Sequence, residues 1–344
     1  AVNANGSGNI LIDANAGNID INSDILSGTG HITLKAATDI LVGDGTATGV
    51  DIATATAGTI SLDAEAGAVT MAGDSTITAA DSSLRVNAAT DITVSNLTAQ
   101  NVSLVADTGA LINAAGTTKN VTAINLRINA NNDIGAAARH LTTNIDNISA
   151  YSATGSMYLT EDNAATVTSS RVVVTEFNSD AQTTQITDAA QSDLTTGADG
   201  NIVLVLTAGD LVLNDGDTGV SQTDGDSREA NGTAVNANGS GNILLDIDAG
   251  SLDINSDILS GTGHITLKAA TDILVGDGTA TGVDITTATT GTISLDAEAG
   301  AVTMAGDSTI TATDSSLRVN AATDITVSNL TAQNVSLVAD TGAL

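Results

Sequence analysis

Residues 30–40 read GHITLKAATDI. Ile32, Leu34 and Ala36 occupy alternate positions separated by polar residues, which is the period of a half-buried β-strand. After the alanine come two variable positions and an Asp, and the chain turns apolar again at Ile40. The stretch therefore predicts a short strand, a corner where a small Ala turns inward and Asp relieves the backbone, and a second short strand.

The same signature recurs along the first part of the chain, with Gly in place of Asp in some copies. It is centred on six alanines: Ala14, Ala36, Ala64, Ala88, Ala106 and Ala130. Their separations are 22, 28, 24, 18 and 24 residues. The spacing predicts an all-β fold, a right-handed parallel β-helix (β-solenoid) with coils of about 23 residues. At about 4.8 Å per coil, about fifteen coils would form an elongated rod on the order of 70 Å.

A longer repeat encloses the shorter one. Residues 1–111 recur at 234–344, shifted by 233 positions, with eight substitutions. Such self-similarity is typical of arrays in which each unit buries its apolar face against its neighbours. We expect one continuous solenoid made of a repeat copy at 1–111, the rest of the unit, with loop excursions, at 112–233, and a second, partial copy at 234–344. No polar cap is visible, so we expect further coils at both ends or end-to-end packing of chains.

The alternation also predicts which side chains point inward. We expect eight aliphatic residues to stack coil on coil in the core: Ile32, Leu34, Ile60, Leu62, Leu84, Val86, Val102 and Leu104. Ile247 replaces the corner residue Ala14, which requires either a roomier corner or a register shifted by one residue. The apolar run 201–206 predicts a strand covered on both faces by a loop from residues 175–200. The polar residues 214–240 predict an excursion loop.

The composition limits the functions open to the chain. There is no Cys and no Pro, and the three aromatic residues are Tyr151, Tyr158 and Phe177. Nine basic residues against 40 acidic ones give a net charge of −31, which disfavours binding to nucleic acid and to anionic membranes. No apolar run approaches the length of a membrane span, so no membrane insertion is expected. An acidic surface keeps a long repetitive protein soluble outside the cell.

Four phrases of the chain, at residues 30–40, 58–64, 130–135 and 155–161, resemble the β-helical shafts of filamentous haemagglutinin-like exoproteins. These are large bacterial adhesins exported by two-partner secretion. The resemblance implies a right-handed parallel β-helix at the bacterial cell surface or in an extracellular matrix, acting in adhesion or as a fibre. Its partners would be adjacent coils or end-to-end repeats of the same array, together with cell-surface or matrix components.

Candidate metal ligands lie in the polar segment after residue 213. Four aspartates alternate with other small residues there: Asp215, Asp217, Asp224 and Asp226. Such a pattern can place oxygen ligands around calcium, but the twelve-residue loop ending in a bidentate Glu is absent, so an acidic loop without metal is the alternative. Residues 43–51, repeated at 276–284, resemble a calcium-binding nonapeptide but lack its tandem glycines. No cofactor is required, and calcium is the one candidate.

No catalytic residue is predicted. His31 and its copy His264 lie on an outward strand face without a second His or Cys, so they are expected to be surface residues rather than metal ligands, as is His140. A polysaccharide-acting β-helix enzyme would need a positioned Lys or Arg, and Arg85 and Arg318 are isolated copies of one position.

A ligand-binding module is the other alternative to a structural shaft. Its ligand would be a carbohydrate, a mineral or ice. Five threonines hint at an ice-binding array: Thr54, Thr56, Thr59, Thr76 and Thr78. Their spacing does not repeat from coil to coil, and the scarcity of aromatic residues disfavours a broad sugar-binding face. The sequence therefore favours the shaft of a repetitive extracellular fibre or adhesin without catalysis.

Overall fold

The computed structural model describes residues 1–43, 49–216, 232–276 and 282–344. These residues form 34 β-strands and contain no helix. The first fourteen strands are β1 Val2–Ala4, β2 Ile10–Ala14, β3 Ile19–Ile21, β4 Ile25–Ser27, β5 Ile32–Ala36, β6 Ile40–Val42, β7 Asp51–Thr54, β8 Ile60–Ala64, β9 Val69–Met71, β10 Thr76–Ala88, β11 Ile92–Val94, β12 Asn96–Ala106, β13 Leu111–Asn113 and β14 Val121–Ala130.

The next eight are β15 Leu141–Ser152, β16 Met157–Glu161, β17 Ala165–Val167, β18 Ser170–Phe177, β19 Thr183–Gln191, β20 Leu194–Thr196, β21 Ile202–Leu206 and β22 Leu211–Leu213. The remaining twelve are β23 Thr233–Ala237, β24 Ile243–Ile247, β25 Leu252–Ile254, β26 Asp257–Ser260, β27 Ile265–Ala269, β28 Ile273–Val275, β29 Asp284–Thr287, β30 Ile293–Ala297, β31 Val302–Met304, β32 Thr309–Ala321, β33 Ile325–Thr326 and β34 Asn329–Ala339.

The chain divides into two compact units. Unit 1 comprises residues 1–145 and 170–190, and unit 2 comprises residues 146–169 and 191–344. The boundary therefore follows neither end of the 233-residue repeat. The first copy of the repeat lies within unit 1 and the second copy within unit 2.

Each coil of unit 1 contributes three strand segments, which stack in three parallel rows. Row A begins with β1, β4 and β7, row B with β2, β5 and β8, and row C with β3, β6 and β9. From β10 onward, rows A and B run together as one long strand with a register shift between Ala79 and Ser83. Unit 2 repeats the three rows, with β21, β24, β27 and β30 in row B. The predicted parallel β-solenoid is confirmed.

The predicted register is confirmed as well. Ala14, Ala36, Ala64, Ala88, Ala106 and Ala130 form one continuous column in row B of unit 1. The irregular spacing of the signature therefore reflects loops of different length between strands that keep their alignment. The eight residues predicted to form the core are all 0% exposed.

Two kinds of backbone contact hold the corners. Gly30 approaches the carbonyl oxygen of Gly8 so closely that a Cβ there would overlap it, and Gly263 repeats the contact on Gly241. The Ser27 hydroxyl donates to the Gly8 carbonyl at 2.7 Å, and its counterpart in the second copy does the same at 2.8 Å. The two copies thus reproduce the same corner in detail.

The substitution of Ala14 by Ile247 is explained by a roomier corner. Ile247 pairs in register with Leu206 on one side and Ala269 on the other, and it is 1% exposed. Two large residues therefore stack in the alanine column at this point. The register is not shifted.

Two expectations about the middle of the chain are wrong. In β21, Val203 and Val205 remain partly exposed, so the strand is covered on one face only. Residues 175–190 belong instead to unit 1, where they cover other strands. The expected excursion loop at 214–240 includes β23, a strand of row A; residues 217–231 lie outside the described part of the chain.

We predict that Leu62→Asp destabilises the protein by more than about 4 kcal/mol, because it places an unpaired charge in a dry column between Leu34 and Val86. Urea unfolding followed by circular dichroism measures the loss. Ala57→Asp, at an exposed position, is the control and should change the stability by less than about 0.5 kcal/mol. Equal losses in the two variants would contradict the assigned core.

Candidate functional site

The corner aspartates of the signature bind the backbone of the next coil. The Asp39 carboxylate accepts the amide of Ala68 at 2.9 Å, and Asp91 accepts the amide of Ala110 at 2.8 Å. In the second copy, Asp272 accepts the amide of Ala301 at 2.7 Å. We refer to this hydrogen bond as the corner clamp. These carboxylates join coils, so part of the acidic charge of the chain has a structural role that the sequence did not indicate.

On the outward side of row B in unit 1, a hairpin forms a second layer over the coils. The hairpin consists of β18 and β19, which form a separate two-stranded sheet. Asn178 and Gln182 close its turn through a 2.9 Å backbone hydrogen bond, and Ala181 adopts a φ of 63°. Strand β18 contacts β5, β8, β10, β12 and β14, so it crosses five coils. We call the surface beneath it the covered face, with Thr33, Lys35, Thr59, Ser61 and Arg85 as its polar residues.

Alternate residues of β18 point at the covered face. Val172 and Val174 are each 1% exposed, and Glu176 is 3% exposed. An eight-residue strand spans about 26 Å and five coils span about 19 Å, so one strand is long enough to cross them. The apolar half of the contact therefore comes from the valines, and the polar half is concentrated at the end of the strand.

The end of β18 makes hydrogen bonds to the polar side chains at β8 and at the neighbouring strand β5. The Thr59 hydroxyl donates to the carbonyl of Thr175 at 2.7 Å and accepts the Thr175 amide at 3.0 Å. The Ser61 hydroxyl donates to a carboxylate oxygen of Glu176 at 2.8 Å. One coil further, the amide of Phe177 donates to the Thr33 hydroxyl at 2.8 Å.

Three cations of the coils face the hairpin. Lys35 Nζ lies 2.9 Å from Glu176, and Arg85 Nε lies 3.1 Å from both carboxylate oxygens of Asp188. Arg127 Nε donates to the carbonyl of Ala189 at 2.9 Å. In a chain with only nine basic residues, three on one surface are a marked concentration.

Burial and neighbouring charges together shift the pKa values of Lys35 and Asp107. Burial on its own lowers the pKa of Lys35, but its hydrogen bond to Glu176 and the charges of Glu176, Asp63 and Asp13 outweigh it, so the pKa is raised. Burial raises the pKa of Asp107, against the opposing charge of Arg85. Lys35 therefore stays protonated over the physiological range, which keeps its ion pair with Glu176 intact.

His31 lies at the edge of the covered face. Its Nδ1 lies 3.1 Å from the backbone amide nitrogen of Thr59, which donates to it, and 3.0 Å from the Thr59 hydroxyl. Burial lowers the pKa of His31 below its usual value. His31 is thus a partly buried structural acceptor rather than a free surface residue.

The structure places one of the four candidate calcium ligands. Asp215 is described, whereas Asp217, Asp224 and Asp226 lie outside the described residues, as do parts of 43–51 and 276–284. Burial raises the pKa of Asp257, as do the nearby charges of Asp284 and Asp215, against the opposing effect of the hydrogen bond that it accepts from the Asp284 backbone amide. Within the described ranges, no three His, Cys, Asp or Glu side chains are grouped closely enough to hold a metal ion.

The threonines that suggested an ice-binding array do not form one exposed surface. Thr54 is 3% exposed and donates its hydroxyl to the Gly30 carbonyl at 2.8 Å, while Thr59 is 7% exposed beneath the hairpin. Thr76 and Thr78 are partly exposed, and Thr76 donates to Asp51 at 2.6 Å. Because Thr54 and Thr59 are buried, the five threonines do not form one flat exposed surface for a ligand.

Sequence reasoning missed Glu176, Asp188, Thr175 and Ser61 as contact residues. Residues 171–177 read RVVVTEF, a run of β-branched residues without a polar/apolar alternation that would indicate what it covers. The one available signal was the absence of the corner signature after it.

Comparison of the chain with protein-family models, with characterised proteins and with solved structures gives no match. Among the described residues, no helix has the length and apolarity needed to cross a membrane.

We predict that Glu176→Ala loosens the hairpin, because it removes the partner of Lys35 and leaves the buried Ser61 hydroxyl without its acceptor. The expected cost is about 1–3 kcal/mol, equivalent to at least about fivefold faster amide exchange in β18. Hydrogen exchange measured by mass spectrometry over residues 170–177 reports it. Thr187→Ala, at an exposed position of β19, should leave the exchange unchanged; similar rates in both variants would contradict the docking described above.

We also predict that His31 makes stability depend on pH. Its pKa in the folded protein is lowered from the unfolded value of about 6.5, so the unfolded chain binds the proton first. The contribution is complete above about pH 6.5 and is lost as the pH falls through the folded pKa. The urea midpoint should decrease between about pH 7.5 and about pH 5.5, and this decrease should be larger for the wild type than for His31→Gln. An equal fall in both proteins would contradict the assignment.

Proposed function

We propose that the chain is a shaft segment of a large repetitive fibre or adhesin at the bacterial cell surface or in an extracellular matrix. Its role is structural: it supplies length and a regular scaffold and carries out no catalysis. Its first partners are repeats of its own kind. This goes with the resemblance of its phrases to filamentous haemagglutinin-like shafts.

The observation that carries the proposal is that the two copies use the same strand pairing and the same corner contacts. Ile32 pairs with Ile60 in the first copy, and Ile265 pairs with Ile293 in the second. The corner clamps and the serine hydroxyl at the glycine corner recur at the same positions. A module that stacks on its own repeat through backbone ladders can be extended without a new core, which suits a shaft.

The surface chemistry supports the same role. The net charge of −31 keeps a long repetitive protein from aggregating and favours an environment rich in salt and divalent cations. Some polar side chains instead bind the protein itself, in corner clamps and under the hairpin. Calcium bound by Asp215, Asp217, Asp224 and Asp226 would be an accessory to such a shaft, and the shaft itself requires no cofactor.

Two alternatives compete with this proposal. A ligand-binding module for carbohydrate, mineral or ice would place its chemistry on an exposed face, and a β-helical polysaccharide-acting enzyme would need a catalytic acid or base. Both predict that activity is sensitive to point substitutions on one face. A shaft predicts sensitivity to the number of units.

The proposal predicts that fibre length follows unit number. An insertion of a second copy of residues 112–344 directly after Leu111 adds 233 residues in register, because Leu344 is the counterpart of Leu111. In the source cells, immunogold labelling with antibodies against this chain should mark the outside of intact cells, and fibres carrying the insertion should be longer by electron microscopy.

The control insertion is a Gly/Ser linker of equal length, which forms a flexible coil and should not extend an ordered fibre in the same way. Labelling that appears only after the cells are permeabilised, or fibres of unchanged length, would contradict the proposal.

A further inference from the structure

The residues that form the covered face occur twice in the sequence, at 31–85 and again at 264–318, whereas the hairpin segment 170–191 occurs once. The second copy repeats five polar residues of the covered face without substitution, although Arg127 lies outside the repeated residues 1–111. We call this set the open face: Thr266, Lys268, Thr292, Ser294 and Arg318. None of the eight differences between the copies falls on either set. The open face lies on β27, β30 and β32 of unit 2, and β34 continues it.

The two faces differ in exposure, although their strand neighbours are equivalent. Ser61 is 0% exposed and Thr33 is 1% exposed in the first copy, while their counterparts Ser294 and Thr266 are partly exposed. Each pair has the same coil before it and after it, so the adjoining coils do not account for the difference. The hairpin covers one face and nothing in the described chain covers the other.

The two cations of the open face make longer ion pairs, with aspartates of adjacent coils. Lys268 lies 3.4 Å from Asp246, and Arg318 lies 3.6 Å from Asp296, both on adjacent coils. In the first copy the same two positions make pairs at 2.9 and 3.1 Å with the hairpin. The Lys268 and Arg318 side chains are 42% and 48% exposed, against 29% and 13% for Lys35 and Arg85.

A shallow groove runs along the open face. Its volume is about 330 Å³, and its lining includes Thr292, Ser294, Ser316, Arg318 and Ser336. In the first copy, the counterparts of these serines are Ser61, Ser83 and Ser103, which are 0–8% exposed. The part of the groove at Ser294 and Ser316 thus coincides with coils that the hairpin crosses on the first copy, whereas Ser336 lies on β34, which has no further strand beside it.

We propose that the open face is a docking site for a further copy of the hairpin segment 170–191, supplied by another 233-residue unit. Val172 and Val174 would cover the groove, Thr175 would pair with Thr292, and Glu176 would bind Lys268 and Ser294. Asp188 would bind Arg318. The inference goes beyond the structural role proposed above, because it assigns a specific partner to a specific surface.

Charge complementarity favours this occupant over others. On the first copy, the hairpin places one carboxylate opposite Lys35 and one opposite Arg85, at the spacing that Lys268 and Arg318 would require. An occupant without that spacing would leave Lys268 and Arg318 paired only with Asp246 and Asp296 of the adjacent coils. An anionic polysaccharide is the rival occupant, because it would satisfy the cations without needing the valine contacts.

The affinity for a free hairpin is expected to be modest. On the first copy the hairpin belongs to the same chain, so its docking benefits from an effective concentration in the millimolar range. An isolated two-stranded hairpin is only marginally stable in water and must fold as it binds. We expect a dissociation constant on the order of 0.1–1 mM for the peptide.

The test uses the full chain and a synthetic peptide with the sequence of residues 170–191. Titration by NMR or fluorescence anisotropy should show saturable binding of one peptide per chain, and hydrogen exchange should slow in β27, β30 and β32. A peptide of the same composition in scrambled order should not bind. Lys268→Glu combined with Arg318→Glu should weaken binding at least about tenfold. Circular dichroism checks that this variant is folded.

A second variant gives a change in the opposite direction. Asp246→Asn combined with Asp296→Asn removes the carboxylates that now pair with Lys268 and Arg318. The peptide carboxylates then have no competitors for these cations, so the peptide should bind more tightly, while the scrambled peptide should still fail to bind. The proposal is overturned by the absence of saturable binding up to about 2 mM peptide, by equal binding of the scrambled peptide, or by exchange protection confined to β5 and β8. Binding of heparin without binding of the peptide would overturn it in favour of an anionic polysaccharide.

Discussion

The parallel, in-register ladder between successive coils is the interaction on which the rest of this structure depends. It places like residues above like, so that aliphatic columns such as Ile10, Ile32 and Ile60 fill the interior. The same alignment brings each corner Asp beneath the amide of the next coil. A displacement of one residue would turn every inward side chain outward, so the columns and the corner clamps both enforce a single register.

The ladder and its columns could be predicted from the sequence, because they depend on local alternation and on the spacing of one small residue. Ile32 and Leu34 identify their face within five residues, and the corner alanines align coils even where the loops differ by ten residues. Ile247 shows the limit of that reasoning: the room at a corner depends on its neighbour Leu206, which lies 41 residues away.

The hairpin could not be predicted in the same way. Ser61 and Glu176 are 115 residues apart, and nothing in the composition of either segment identifies the other as its partner. Residues 175–200 were expected to form a loop, whereas the structure has the end of β18 and the whole of β19 there. For the same reason the valines of β21 were expected to be covered, whereas the covering segment packs on different coils. Contacts between layers depend on where loops lead the chain, and alternation within a strand does not record this.

Because of the hairpin, two lysines in the same local sequence differ in their exposure to solvent. Lys35 and Lys268 occupy the same phrase, GHITLKAATDI, and their immediate neighbours along the chain and across the ladder match almost residue for residue. One amine is held against a buried carboxylate and the other projects further into solvent. An antibody or an amine-reactive label directed at this phrase would therefore meet two different surfaces in one molecule, and its reactivity would report the outer layer rather than the sequence.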